Sequence, residues 1–123
     1  MSPFDEEMLV AATKARENAY VLTNYATKVG AAVRGMNGRV YAGCNVEHRY
    51  RCHDVHAEVN AISTMVADGC QSFTVILIVA ERELFTPCGS CMDWILQHAE
   101  QPNTRVGYHN LKTGDEQSYT AEQ

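Results

Sequence analysis

The fold class predicted by this 123-residue sequence is α/β, a three-layer α/β/α sandwich with a five-stranded mixed sheet. Three observations point there. A nearly continuous apolar run, Phe73, Val75, Ile76, Leu77, Ile78 and Val79, suits a central strand covered on both faces. Stretches with helical apolar spacing precede and follow it, implying a parallel crossover to the next strand. Asn37-Gly38, between two short extended segments, is the strongest two-residue hairpin signal a sequence carries.

Taken in order, Ser2 can cap a first helix whose opening turn holds Pro3, Asp5 and Glu6, residues suited to that end. Phe4, Met8, Ala11, Ala12, Ala15 and Ala19 trace one face of this packing helix, which is expected to continue to about Asn18. Residues 29–36 and 39–44 are the first two strands, antiparallel. If the second strand persists, Asn45 and Glu47 share a face. An amide and a carboxylate so placed can bracket a sugar hydroxyl as donor and acceptor, the alternative being a surface turn. Residues 48–55 form a polar connection. A second helix follows from His56, with Val59, Ile62, Met65 and Val66 at helical spacing and a stop near Asp68-Gly69. After the apolar strand, a third helix fits Gly89 to His98, with Pro87 in its entry turn and Trp94, Ile95 and Leu96 offering apolar contact. Pro102 and Asn103 mark a loop, residues 104–108 a fourth strand and residues 117–120 a short fifth. Residues 1–123 form one domain.

Hydrophobic content of 46% and charged content of 20% are ordinary for a globular protein, and no apolar run reaches the ~18 residues of a membrane span. The net charge is −5, and the ten Lys and Arg are spread along the chain. That balance disfavours a nucleic acid polymer, which needs a cationic surface, and favours a small molecule. Arg49 and Arg51, with His48 and His53, are the only basic concentration, a solvated loop or a ligand contact. An odd count of five Cys and an acidic N-terminus argue against a disulfide framework and a secretory signal, so a cytoplasmic protein with reduced thiols is expected.

The chemistry lies in His56-Ala57-Glu58 and Pro87-Cys88-Gly89-Ser90-Cys91. Cys88 and Cys91, two residues apart at a helix start, can converge as thiolates on one zinc ion, the helix N-terminus lowering their pKa. His56 supplies a third ligand. Three ligands leave a position for water, which zinc ionises near neutral pH. Glu58 stands near the metal without binding it, as a proton carrier. The competing arrangement is a structural zinc closed by Cys44 or Cys52, which leaves Glu58 without a role.

His-x-Glu followed some 30 residues later by Pro-Cys-x-x-Cys resembles the zinc nucleobase-deaminase signature, and over roughly residues 29 to 98 the chain resembles the cytidine deaminase family. The resemblance implies hydrolytic, zinc-dependent deamination of a cytosine nucleoside to the uracil nucleoside and ammonia, in pyrimidine salvage, by a homotetramer or dimer. It gives Asn45 and Glu47 the ribose 3′-hydroxyl, the Ala57 N–H the base carbonyl, and the Thr86 carbonyl a place near the departing ammonia. The chain departs from the small tetrameric members in four places. Thr27 stands where they carry a base-covering Phe, with Tyr25 the nearest substitute; His56 replaces a Cys; Met92-Asp93 replaces Arg-Gln. His56 to Ile62 looks more like deoxycytidylate deaminases. Cytidine and deoxycytidine, base-modified or not, rank first as substrates, then a cytosine-containing antibiotic such as blasticidin S, then deoxycytidylate. A zinc-stabilised binding module without catalysis is the non-enzymatic alternative.

Overall fold

The chain runs α1 (Glu6–Glu17), β1 (Gly30–Gly35), β2 (Val40–Cys44), a 3₁₀ turn at Arg51–His53, α2 (Ala57–Ala67), β3 (Phe73–Ala80), α3 (Gly89–His98), β4 (Arg105–Asn110) and β5 (Glu116–Thr120). The computed structural model describes residues 6–23, 27–81, 89–100 and 104–120; the expectations for Ser2, Pro3, Phe4, Asp5, Pro102 and Asn103 lie outside these. The strands form one sheet in the order β2-β1-β3-β4-β5. Only β3 and β4 run parallel, joined through α3 as the apolar run predicts; the other pairs are antiparallel.

Alternation along β3 explains why its sequence is apolar throughout. Leu77 and Val79 face α1, packing with Ala32, Met8 and Ala12. Ile76, Ile78 and Ala80 face the other way, into a cluster with Ala57, Ala61, Ile62 and Met65 of α2 and Ile95 of α3. Two helices thus cover one face and α1 the other, the three layers the sequence predicts. Burying both faces of β3 removes about 1.5–3 kcal/mol of exposure cost per large side chain.

Several local expectations change. The hairpin between β1 and β2 has a three-residue loop, Met36-Asn37-Gly38, with the Gly35 N–H bonded to the Arg39 carbonyl at 2.8 Å. Only Gly38 takes positive φ, at 86°, which fits a turn followed by a bulge; a two-residue turn of the expected kind needs positive φ at Asn37 as well. The connection over residues 48–55 contains the 3₁₀ turn and is pinned by a bridge between Val46 and Val55. β4 is longer than predicted, and β5 begins one residue earlier. Val66, Trp94 and Leu96 are not part of the buried core, being 37%, 38% and 47% exposed. Their places are taken by Ala57 and Ala61, whose small side chains bring α2 close to the sheet, and by Met92 and Ala99 beside Ile95.

Gly43 marks that close approach, since a Cβ on it would lie 2.4 Å from the Ala61 nitrogen and 2.8 Å from Asn60. Both obstacles include backbone, so neither can swing aside. Gly43→Ala is therefore expected to destabilise by about 1–3 kcal/mol, the usual cost of overpacking, read as a lower denaturation midpoint. An unchanged midpoint would show that α2 is not seated on β2.

Candidate active site

Strand register brings two helix starts to one end of the sheet's strands. Gly30 pairs with both Cys44 and Val79, so the C-terminal ends of β2 and β3 lie on either side of the start of β1. The chain leaves β2 towards α2 and leaves β3 towards α3, and those helices contact each other on the same face. His56 is the N-cap of α2, with extended backbone (φ −80°, ψ 156°) and no side-chain capping bond, so its ring does not fold back over its own helix. Cys91 is the third residue of α3 and is buried. The His56 Nδ1 lies 3.0 Å from the Cys91 Sγ.

Glu58, in the first turn of α2, is only 2% exposed. Burial pushes its carboxyl above the usual carboxylate range. Its own backbone N–H, nearby His56 and a hydrogen bond from the Cys91 thiol pull the other way. A carboxylate is rarely buried without such partners. Here they are the same two side chains that are predicted to bind metal.

The donor set fits zinc. A tetrahedral zinc with Zn–N about 2.0 Å and Zn–S about 2.3 Å separates those atoms by about 3.5 Å, so the pair need part by only about half an ångström. Among the described residues, no three His, Cys, Asp or Glu side chains form a metal-holding group. Cys44 and Cys52 therefore do not join His56 and Cys91 in a closed site; Cys52 is exposed, and burial raises the half-buried Cys44 thiol. Cys88, the third expected ligand, lies outside the described residues, as do Thr86 and Tyr25.

Asn45 and Glu47 lie just past the end of β2 and turn towards Leu22, Thr27 and Val29. The Asn45 Oδ1 accepts the Val29 N–H at 2.9 Å, and its Nδ2 donates to the Thr27 carbonyl at 3.0 Å. The Glu47 Oε1 accepts the Leu22 N–H at 2.9 Å, and Glu47 is buried, unlike a residue of a surface turn. Behind this segment lies a cavity of about 510 Å³ lined by Arg16, Leu22, Thr27, Lys28 and Glu81 among others. Ala57, whose N–H is at the start of α2, is 1% exposed. Sequence reasoning misses Asn60, whose Oδ1 accepts the Cys44 N–H at 3.0 Å; the available signal was a polar residue between Ala57 and Ala61 on a helix with an apolar face.

The family model for the cytidine and deoxycytidylate deaminase zinc-binding region matches residues 2–108. The chain belongs to this family. As a member it is an enzyme, a zinc-dependent aminohydrolase by class. A cytidine deaminase of Sporosarcina psychrophila is 37% identical over 93 residues, covering 75% of this chain and 68% of the relative. One from Halalkalibacterium halodurans is 32% identical over 118 residues, covering 94% and 87%. The crystal structure of cytidine deaminase from Burkholderia pseudomallei superposes with a TM-score of 0.85 at 31% identity, covering 98% of this chain and 94% of that one.

Metal analysis of purified protein is expected to give about one zinc per chain, lost in Cys91→Ser and kept in Cys52→Ser. Loss of zinc in Cys52→Ser would point instead to a closed structural site.

Proposed function

We propose that this deaminase acts on a cytosine nucleoside, cytidine or deoxycytidine, giving the uracil nucleoside and ammonia. The observation that carries this is the buried Glu58 carboxyl beside the His56 and Cys91 pair: a proton carrier that is desolvated and fixed next to two metal donors. His56, Cys88 and Cys91 would hold Zn²⁺, which when bound acts as a Lewis acid and lowers the pKa of water. Glu58 takes one proton from the attacking water and gives it to the ring nitrogen, then takes the second from the hydroxyl newly bonded to the ring carbon and gives it to the amine, so the C–N bond breaks, ammonia leaves and a carbonyl remains. Burial, which raises the Glu58 pKa, favours the protonated form it must pass through between taking up a proton and giving it away.

The Ala57 N–H at the α2 start is assigned to the base carbonyl and the Thr86 carbonyl to the amine, with Tyr25 against the base. Asn45 and Glu47 are assigned to the sugar, using the amide proton and carboxylate lone pairs that remain beyond their bonds to the 22–29 backbone. A carboxylate at the sugar favours a nucleoside over a nucleotide, whose phosphate it would repel. The Arg49 guanidinium is engaged over the Tyr50 ring, 5.4 Å from its centroid, which further supports that order. Residues 1–123 act as one catalytic domain. Homo-oligomerisation, as a tetramer or a dimer, is supported by an exposed row of Tyr20, Val46 and Val55, set side by side by two bridges. No helix among the described residues is long and apolar enough to cross a membrane. A cytoplasmic place in pyrimidine salvage, using free nucleosides rather than nucleic acid polymers, suits the acidic charge and the reduced state of Cys44, Cys52, Cys70 and Cys91, which form no disulfide among the described residues.

Ammonia release is measured across cytidine, deoxycytidine, deoxycytidylate, cytosine, guanine and blasticidin S. Turnover is expected with the two nucleosides; selective turnover of deoxycytidylate or blasticidin S would reassign the substrate, and none with any of the panel would favour a binding module. Glu58→Gln is expected to retain zinc and lose activity by about 10²–10⁴-fold or more. Near-normal turnover in that variant would remove Glu58 from the chemistry.

A further inference from the structure

We infer that Asn60 is a positioning residue that fixes the sugar-binding side of the site to the catalytic turn of α2. The inference rests on the nucleoside deamination proposed above and assigns a role to a side chain that none of the ligand or proton-transfer steps uses.

β2 is an edge strand, so one side of its backbone has no neighbouring strand. At its end the Asn45 N–H bonds the Val29 carbonyl of the segment entering β1, at 3.2 Å. Because N–H directions alternate along a strand, the Cys44 N–H points away from β1. The Asn60 Oδ1 accepts it at 3.0 Å. The Asn60 N–H bonds the His56 carbonyl at 2.9 Å, so Asn60 stands one helical turn from His56 and two residues from Glu58. One side chain therefore spans from the catalytic turn to the residue immediately before Asn45. Asn45 in turn holds the Thr27 carbonyl and the Val29 N–H. Gly43 allows the approach, since any side chain there would strike Asn60 and Ala61.

Asn60 is also a poor choice for helix stability alone, because Asn is a weaker helix former than Ala. Its amide makes sense as a link. Displacing reacting groups by about 1 Å can cost about 10²-fold in rate, so a bond that sets the distance between sugar anchor and proton carrier bears directly on turnover of a substrate bound by its sugar.

The test compares Asn60→Ala, which removes the acceptor, with Asn60→Asp, which keeps one in the same place. Steady-state kinetics with cytidine, zinc content, denaturation midpoint and amide hydrogen exchange at Cys44 are measured on each. For Asn60→Ala, zinc is expected to stay near wild type and the midpoint to fall modestly with the lost acceptor, while KM for cytidine rises about tenfold with a smaller fall in kcat and exchange at Cys44 accelerates. Asn60→Asp is expected to recover most of the KM and the slow exchange. Should the alanine form not fold, Asn60→Gln, one methylene too long for the same bond, is expected to show the raised KM and faster exchange. Wild-type KM in Asn60→Ala, or equal impairment in the Ala and Asp forms, would overturn the inference. Wild-type enzyme inactive on every cytosine nucleoside, with Cys44 exchange still dependent on Asn60, would overturn the proposed function and leave Asn60 a structural link only.

Discussion

The 3.0 Å approach of His56 to Cys91 depends on two helices starting at the same end of the sheet. The sheet order produces this. β1 lies between β2 and β3 and is antiparallel to both, so the two strands that lead into α2 and α3 finish at the same end of the sheet, flanking the start of β1. Each helix then presents the positive end of its backbone dipole towards the side chains in its first turn, Glu58 on α2 and Cys91 on α3. The same convergence buries Glu58: a carboxyl in that position is desolvated by the packed helices and held by its own N–H, His56 and Cys91. The juxtaposition of His56 and Cys91 and the burial of Glu58 are thus consequences of one packing arrangement.

Asn45 and Glu47 carry two duties. Glu47 accepts the Leu22 N–H, and Asn45 accepts the Val29 N–H while donating to the Thr27 carbonyl, so the pair assigned to the sugar also straps down Leu22, Thr27 and Val29. Loss of either side chain would leave polar backbone atoms without their partners, a cost of about 1–3 kcal/mol for each that stays buried. At the far end of α2, the Asn37 amide donates to the Tyr41 hydroxyl at 2.8 Å, and Tyr41 donates to Asp68, which also pairs with Arg39. Bonding to Asp68 raises the Tyr41 pKa, so the phenol remains a donor. The helix bearing His56 and Glu58 is therefore fastened to the β1–β2 hairpin at both ends, by Asn60 near its start and by Asp68 at its C-cap.

The layering was legible because β3 must be apolar on both faces, and no other segment reads that way. The limits of α3 were legible too, since Gly89 and His98 bound its apolar pattern. Spacing shows that a residue can lie on a helix face but not which face another element covers, so Trp94, Leu96 and Val66 read as core residues while Ala57 and Ala61 carry the closer contact. The hairpin loop differed because Asn-Gly fits more than one turn, and strand register chose the three-residue form. In the site, His-x-Glu and Cys-x-x-Cys were visible as chemistry at fixed spacing. The backbone bonds of Asn45, Glu47 and Asn60 were not, because they join segments that only the fold brings together.

The central claim is a cation held by three protein side chains with one position left beside Glu58. Zinc K-edge X-ray absorption on the metal-loaded enzyme tests it most directly. The account predicts two sulfur atoms at about 2.3 Å and two lighter atoms at about 2.0–2.1 Å, one an imidazole nitrogen and the other an oxygen. A shell of three sulfurs and one nitrogen, filled by a further cysteine, would leave no place for water and would contradict it.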